Sequence, residues 1–203
     1  NVIREPAMNL SLSVRIAEAP CKTKLHLPFD DLVALAADCG YAAICMRASA
    51  GGVQTPADEL RHMKSVVNQH GLRVSMVTPD SKVPLNNKHG PDSLRDIGPS
   101  LDVTETLGCD LIRVCIKKPE DIPFARDAAD RAAERGIRLA HQCHTSSLFE
   151  QVEQILSTLA EIDRPNFGII YEPANLMLCG QDYGPATLER LQPHIMNAYI
   201  QNH

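Results

Sequence analysis

The stretch ERGIRLAHQCHT, residues 134–145, decides the fold. Gly136 closes the charged, helix-period segment before it, where a helix C-cap glycine belongs. An apolar run follows at 137–143, with polar groups at its end in Gln142 and His144. The order is helix, glycine, short strand, polar end, and it recurs along the chain. Strand-like runs begin at about 10, 41, 72, 110, 137, 166 and 195, spaced by 31, 31, 38, 27, 29 and 29 residues. Helix-period segments lie between them at about 29–39, 56–70, 92–107, 119–135, 145–163 and 184–192. Gly40, Gly71, Gly108 and Gly136 each stand one to two residues before a strand. Thr55 followed by Pro56 predicts one helix start, and Thr145 to Ser147 predicts another. So regular a beat marks a repeated βα unit.

Repeated βα units form an open doubly wound sheet or a closed barrel. Neither GxGxxG nor GxxxxGK is present, so the nucleotide-binding sheets lose their signature. Near-equal units instead predict the α/β class and a (β/α)8 TIM barrel, with seven βα strands visible and the eighth unit absent from this chain. The eighth unit is expected beyond His203, or the barrel is open or completed by a partner. Residues 1–203 form one expected domain. Asn1 opens the chain, Met8 is a more natural start, and the chain stops at His203 within a strand-like run, which predicts a longer natural protein.

Composition narrows the function. With 203 residues and 44% hydrophobic content, the chain is long enough to bury a core without a staple. The net charge is −5, from 20 basic and 25 acidic residues, with no Lys/Arg cluster. That argues against nucleic acid, whose binders displace counterions with positive charge. Apolar runs fall well short of the ~20 residues of a membrane helix, and no signal peptide is visible. Seven cysteines, an odd number with no CxxC pair, point to reduced thiols in the cytoplasm rather than disulfides or a zinc knuckle.

Barrel strands alternate between the helix layer and the interior. One parity is apolar and expected to face the helices: Leu12, Val14, Ile16, Ile44, Met46, Val74, Met76, Ile112, Val114, Ile116, Ile137, Leu139, Phe167, Ile169, Met196, Ala198 and Ile200. The other parity is polar and expected inside: Ser11, Ser13, Arg15, Cys45, Arg47, Ser75, Arg113, Cys115, Lys117, Gln142, His144, Glu172, Tyr199, Gln201 and His203. The polar members gather at the C-terminal strand ends, where barrel enzymes keep their active sites. Glu172 is the sharpest candidate, because a buried carboxylate must meet Arg, a metal or a substrate. The plainer alternative is an ion pair with Arg113 or Arg47. His144 is a candidate proton shuttle or ligand, and Gln142 an oxygen ligand or hydrogen-bonding group. His141 falls on the outward parity and is read as structural. Gln201 and His203 close the seventh strand. Arg15, Arg47 and Arg113 suit a phosphate or carboxylate, or else neutralise Glu172 and Glu18. Asn175 is a plausible substrate contact. The loop 78–92 exceeds the usual βα length and is a candidate lid.

These strand ends give the chain its resemblance to the xylose isomerase-like (β/α)8 superfamily of sugar phosphate isomerases, epimerases and endonuclease IV-type (AP endonuclease family 2) proteins. Members often carry Glu-Asn-His at the fifth strand, where this chain has Gln142-Cys143-His144. Many carry Asp-Pro-x-His after the sixth, here Glu172-Pro173-Ala174-Asn175, and His-x-Lys-Asp at the seventh, here Tyr199-Ile200-Gln201-Asn202. The resemblance implies a metal-dependent isomerase or epimerase of a ketose or similar polyol, with catalysis by Glu172, His144 and Gln142. Arg47, Arg113, Asn175 and Arg15 would bind the carbohydrate substrate. Glu172, Gln142, Gln201 and His203 would hold a divalent metal such as Mn or Mg. Gln142 cannot be a base, so a lyase or dehydratase of the same frame and a non-catalytic carbohydrate-binding barrel stand beside that reading. A nuclease fits least, on charge. A homo-oligomer is allowed.

Overall fold

The first four strand–helix units close with a glycine because the chain turns back through the left-handed region to start the next strand; after the fifth, the non-glycine Asp163 takes that role with φ +50°. Gly40, Gly71, Gly108 and Gly136 have φ of +80°, +71°, +71° and +65°, as the repeat predicts. The computed structural model describes residues 9–85 and 87–201. In chain order the elements are β1 (Ser11–Ser13), a 3-10 turn (Val14–Ala17), α1 (Phe29–Asp38), β2 (Ala43–Arg47), α2 (Ala57–Gln69), β3 (Arg73–Thr78), α3 (Asp92–Arg95) and α4 (Gly98–Leu107). There follow β4 (Leu111–Val114), a 3-10 turn (Pro119–Asp121), α5 (Ile122–Ala133), β5 (Arg138–Gln142), α6 (Val152–Ile162) and β6 (Phe167–Tyr171). The chain continues with α7 (Pro173–Leu178), α8 (Pro185–Leu191), a 3-10 turn (Gln192–His194) and β7 (Ile195–Ala198).

The seven strands form one parallel sheet in chain order. This is the TIM-barrel fold, with seven units in this chain. The sheet curls, because its two ends meet across the interior. The Tyr199 hydroxyl lies 3.0 Å from Cys45 Sγ, and Arg15 donates to Gln201 Oε1 at 3.0 Å. Helices cover the outer face through apolar stripes at helical spacing. In α6 the stripe is Val152, Ile155, Leu159 and Ile162; in α5 it is Ala125, Ala128, Ala129 and Ala132, small enough to seat the helix close to the sheet. Both meet Ile112, Val114, Leu139, Phe167 and Ile169 in one core. Each large side chain so buried contributes about 1.5–3 kcal/mol.

Alternation holds for β4 and β5 and breaks at two bulges. In β3 the register with β2 slips between Ile44 and Cys45, so Met76 pairs with Cys45. Met76, expected against the helices, therefore turns inward, where its sulfur accepts from Asn197 Nδ2 at 3.6 Å. Ser75 stays inside, its hydroxyl 2.6 Å from that of Ser11. In β7 the register with β6 slips at Ile169/Ile170, and Met196 lies over Gly168 on the interior side. Ile16 also departs from the outward set. β1 stops at Ser13, whose hydroxyl accepts from Arg15 N and caps a 3-10 turn, and Ile16 is 73% exposed.

Helix boundaries also differ from those the periodicity predicts. Residues 145–151 are loop rather than helix start: Ser146 takes φ +57°, and the Ser147 hydroxyl donates to His144 O and accepts from Phe149 N. The 92–107 segment splits into α3 and α4, and α2 begins one residue after Pro56. The short helix α7 follows directly on β6, where the helix periodicity predicts nothing before residue 184.

His141 does face outward, stacked flat on Phe149 with ring centroids 4.2 Å apart. Burial pushes its pKa down to about 3; its bond to the Gln142 carbonyl opposes this and Arg113 reinforces it. The unfolded chain takes up the proton below about pH 6.5, whereas the fold resists it until about 3. Stability from this group is thus complete above about pH 6.5 and is lost as pH falls toward 3. His141→Phe keeps the stacked ring and should flatten the loss of urea stability between about pH 7.5 and 5; an unchanged slope would contradict this account. At Gly168 an added Cβ would sit 2.4 Å from His194 O and 2.9 Å from Met196 Cγ. Gly168→Ala should cost about 1–3 kcal/mol in thermal or urea unfolding.

Candidate functional site

The interior changes character along the barrel axis. Its lower part is packed with Ala140, Ile170 and Leu111, joined by Met196. Its upper part is polar, because the inward positions at the strand ends carry Arg47, Arg113, Gln142 and Glu172. Glu172 follows β6 directly and has no exposed surface. Three amides hold its carboxylate. Gln142 Nε2 and Asn175 Nδ2 donate to Oε2, the latter at 2.5 Å, and Gln201 Nε2 donates to Oε1. Asn175 spends its second N–H on the Cys143 carbonyl at 2.9 Å. The first turn of α7 is thereby tied to the end of β5.

Cations surround this cluster. Arg113 is buried with its Nε lacking a partner among the described residues. Burial pulls its pKa down and Arg47 adds repulsion, while Tyr199, Cys115 and Glu172 pull it up. Arg47 donates through Nε to Glu18 Oε1 at 2.7 Å, and the Ser49 hydroxyl donates to the same oxygen at 2.6 Å. Arg47 thus pairs with Glu18, not with Glu172. His144 Nδ1 lies 2.9 Å from the Thr145 carbonyl, which accepts only from N–H. The proton therefore sits on Nδ1 and the basic lone pair on Nε2. Burial lowers the pKa of His144, with Arg113 acting the same way and the Thr145 bond opposing.

Above Glu172 opens a cavity of about 200 Å³, lined by Arg15, Lys22, Arg47, Arg113, Gln142, His144, Asn175 and Gln201, with Pro84 and Leu85 from the loop after β3. Among the described residues its wall carries four cationic side chains and no carboxylate. The expected residues Glu172, His144, Gln142, Gln201, Asn175, Arg15, Arg47 and Arg113 thus meet at one mouth. His203 lies outside the described residues. Strand parity does not find Lys22, which stands in the loop beyond β1 and the 3-10 turn, where neither helix nor strand period applies. A wider groove of about 340 Å³ beside Leu25, Phe29 and Met63 gathers no comparable set of charges.

The donors present do not make a divalent-metal cage. A hard cation takes oxygen lone pairs, mostly from carboxylates. Here one carboxylate meets three amide N–H groups, with the buried guanidinium of Arg113 nearby. Among the described residues no group of three or more His, Cys, Asp and Glu is placed to hold one ion. No helix among them is long and apolar enough to cross a membrane.

No curated protein sequence matches the chain. Solved structures do. One is a Bacillus anthracis protein described as the probable 3-DHS dehydratase AsbF, 17% identical, with a TM-score of 0.72 over 93% of this chain and 71% of that one. A xylose isomerase-like TIM barrel protein from Mycobacterium smegmatis, in complex with magnesium, is 13% identical with a TM-score of 0.74, over 96% of this chain and 74% of that one. A D-allulose 3-epimerase from Methylomonas sp., in complex with D-allulose, is 16% identical with a TM-score of 0.70, over 94% and 71%. At these identities the likeness speaks for the fold. Residues 33–202 match the model of the xylose isomerase-like TIM barrel family, and the chain belongs to that family.

Proposed function

We propose that this barrel isomerises or epimerises a small anionic carbohydrate, a sugar phosphate or polyhydroxy acid, by moving a proton next to its carbonyl. The observation that carries this is the convergence of four cationic side chains on a single small cavity, whose floor amides Gln142, Asn175 and Gln201 are held by the buried carboxylate of Glu172. Its volume of about 200 Å³ lies below the usual range for drug-sized ligands, which suits a small substrate. Arg15, Lys22 and Arg47 bind the anionic group. His144 Nε2 takes the proton from the carbon beside the carbonyl. Arg113 faces the oxygen on which negative charge develops, in a site where burial strengthens the attraction. Glu172 fixes Gln142, Asn175 and Gln201, and the Gln142 Oε1, buried without a protein partner among the described residues, accepts from a substrate hydroxyl.

Dehydration is the second reading, and the cationic wall favours it. The same enolate expels the hydroxyl of the next carbon, which leaves as water with the proton that His144 took, and the arginines then hold a carboxylate. The Bacillus anthracis relative described as a probable 3-DHS dehydratase supports that variant. The magnesium-bound relative supports a metal-dependent one. Because the amide-bonded donor set does not fit a metal, the steps above run through side chains alone. All seven cysteines are free, which supports a cytoplasmic enzyme.

The test is solvent exchange. The chain is incubated in deuterated buffer with a panel of ketose phosphates and cyclic polyhydroxy acids, and the carbon-bound proton is followed by NMR. Deuterium should enter beside the carbonyl of at least one of them, and His144→Asn should slow this by about 100-fold or more. Saturable binding with no exchange for any of the panel would instead establish a non-catalytic binding barrel.

A further inference from the structure

We propose that the amide collar on Glu172 takes the place of a divalent cation, so that this barrel mouth holds its ligand without metal. A carboxylate with no exposed surface needs its charge answered inside the protein. Here Gln142, Asn175 and Gln201 answer it with N–H groups. Those nitrogens have no lone pair to offer a metal. Of the glutamine oxygens, Gln201 Oε1 already accepts from Arg15 at 3.0 Å, which leaves Gln142 Oε1 as a single neutral donor, too little to hold a divalent ion. Asn175 cannot turn its amide over, because its other N–H is fixed on the Cys143 carbonyl at 2.9 Å. Arg113, buried beside the cluster, already supplies a full positive charge and repels a second cation.

The collar also says what would reverse it. Glutamate has nearly the shape of glutamine, so carboxylates at 142 and 201 would converge on Glu172. Three carboxylates in that space repel one another unless a cation joins them. Gln142→Glu together with Gln201→Glu should therefore create the metal site that the native side chains exclude.

The experiment uses the whole chain, treated with EDTA, desalted and titrated with MnCl2 or MgCl2. It is followed by calorimetry and thermal unfolding. For the native sequence we expect no saturable heat and an unmoved Tm at about 1 mM metal. The double variant should take about one Mn ion per chain, with a Tm raised by several degrees at the same concentration. Should it fold only when Mn is present, that too supports the proposal, since the metal then supplies what the amides supplied. Saturable uptake of about one ion by the native sequence, abolished in Glu172→Gln, would overturn it. So would a folded double variant that gains no metal. Proton exchange and metal uptake are separate readouts, so the catalytic reading and this one fail independently.

Discussion

Glu172 is wholly removed from water, and a carboxylate so placed must find its donors within the protein. Everything at the barrel mouth follows from how that need is met. The end of β5 contributes Gln142, the first turn of α7 contributes Asn175, and the segment after β7 contributes Gln201. Three separate parts of the chain are thus drawn to one point by one charge. Losing a partner would leave the charge short of a donor, at a cost of about 1–3 kcal/mol for each buried group left unsatisfied. The carboxylate acts as a keystone for its neighbours.

The cations occupy a different layer. Arg47 is held by Glu18, whose Oε1 also accepts from Ser49, and Arg113 is buried near Glu172 without a direct bond to it. The charge of Arg47 is answered by Glu18, whereas that of Arg113 is fixed beside the cavity without an ion-pair partner among the described residues. A neutral sugar gains little from such a wall, whereas an anion gains attraction that a low-dielectric surround strengthens.

Much of this was legible before the fold was known. The four glycines before strands have the left-handed φ that the repeat implies. Strand parity placed Arg113, Gln142 and Glu172 together, because β4 to β6 run without interruption from strand base to mouth. It failed at Met76 and Met196, since a bulge adds a residue without changing the apolar pattern that a reader follows. It failed at Ile16 because a serine cap ends β1 early, a local hydrogen bond invisible to periodicity. Lys22 lies in a loop, where neither period applies. The departure from a metal cage was half visible. Glutamines stood where ligands were expected, but only the geometry shows their N–H groups turned toward the carboxylate.

The doubly bonded amide of Asn175 has one more consequence. By tying α7 to the Cys143 carbonyl and to Glu172 at once, it locks the β5–β6 side of the mouth before any ligand arrives. The loss of rotational freedom there belongs to folding, not to association. A ligand settling on that wall meets dipoles already aligned, so little of its affinity is spent on ordering this side of the protein.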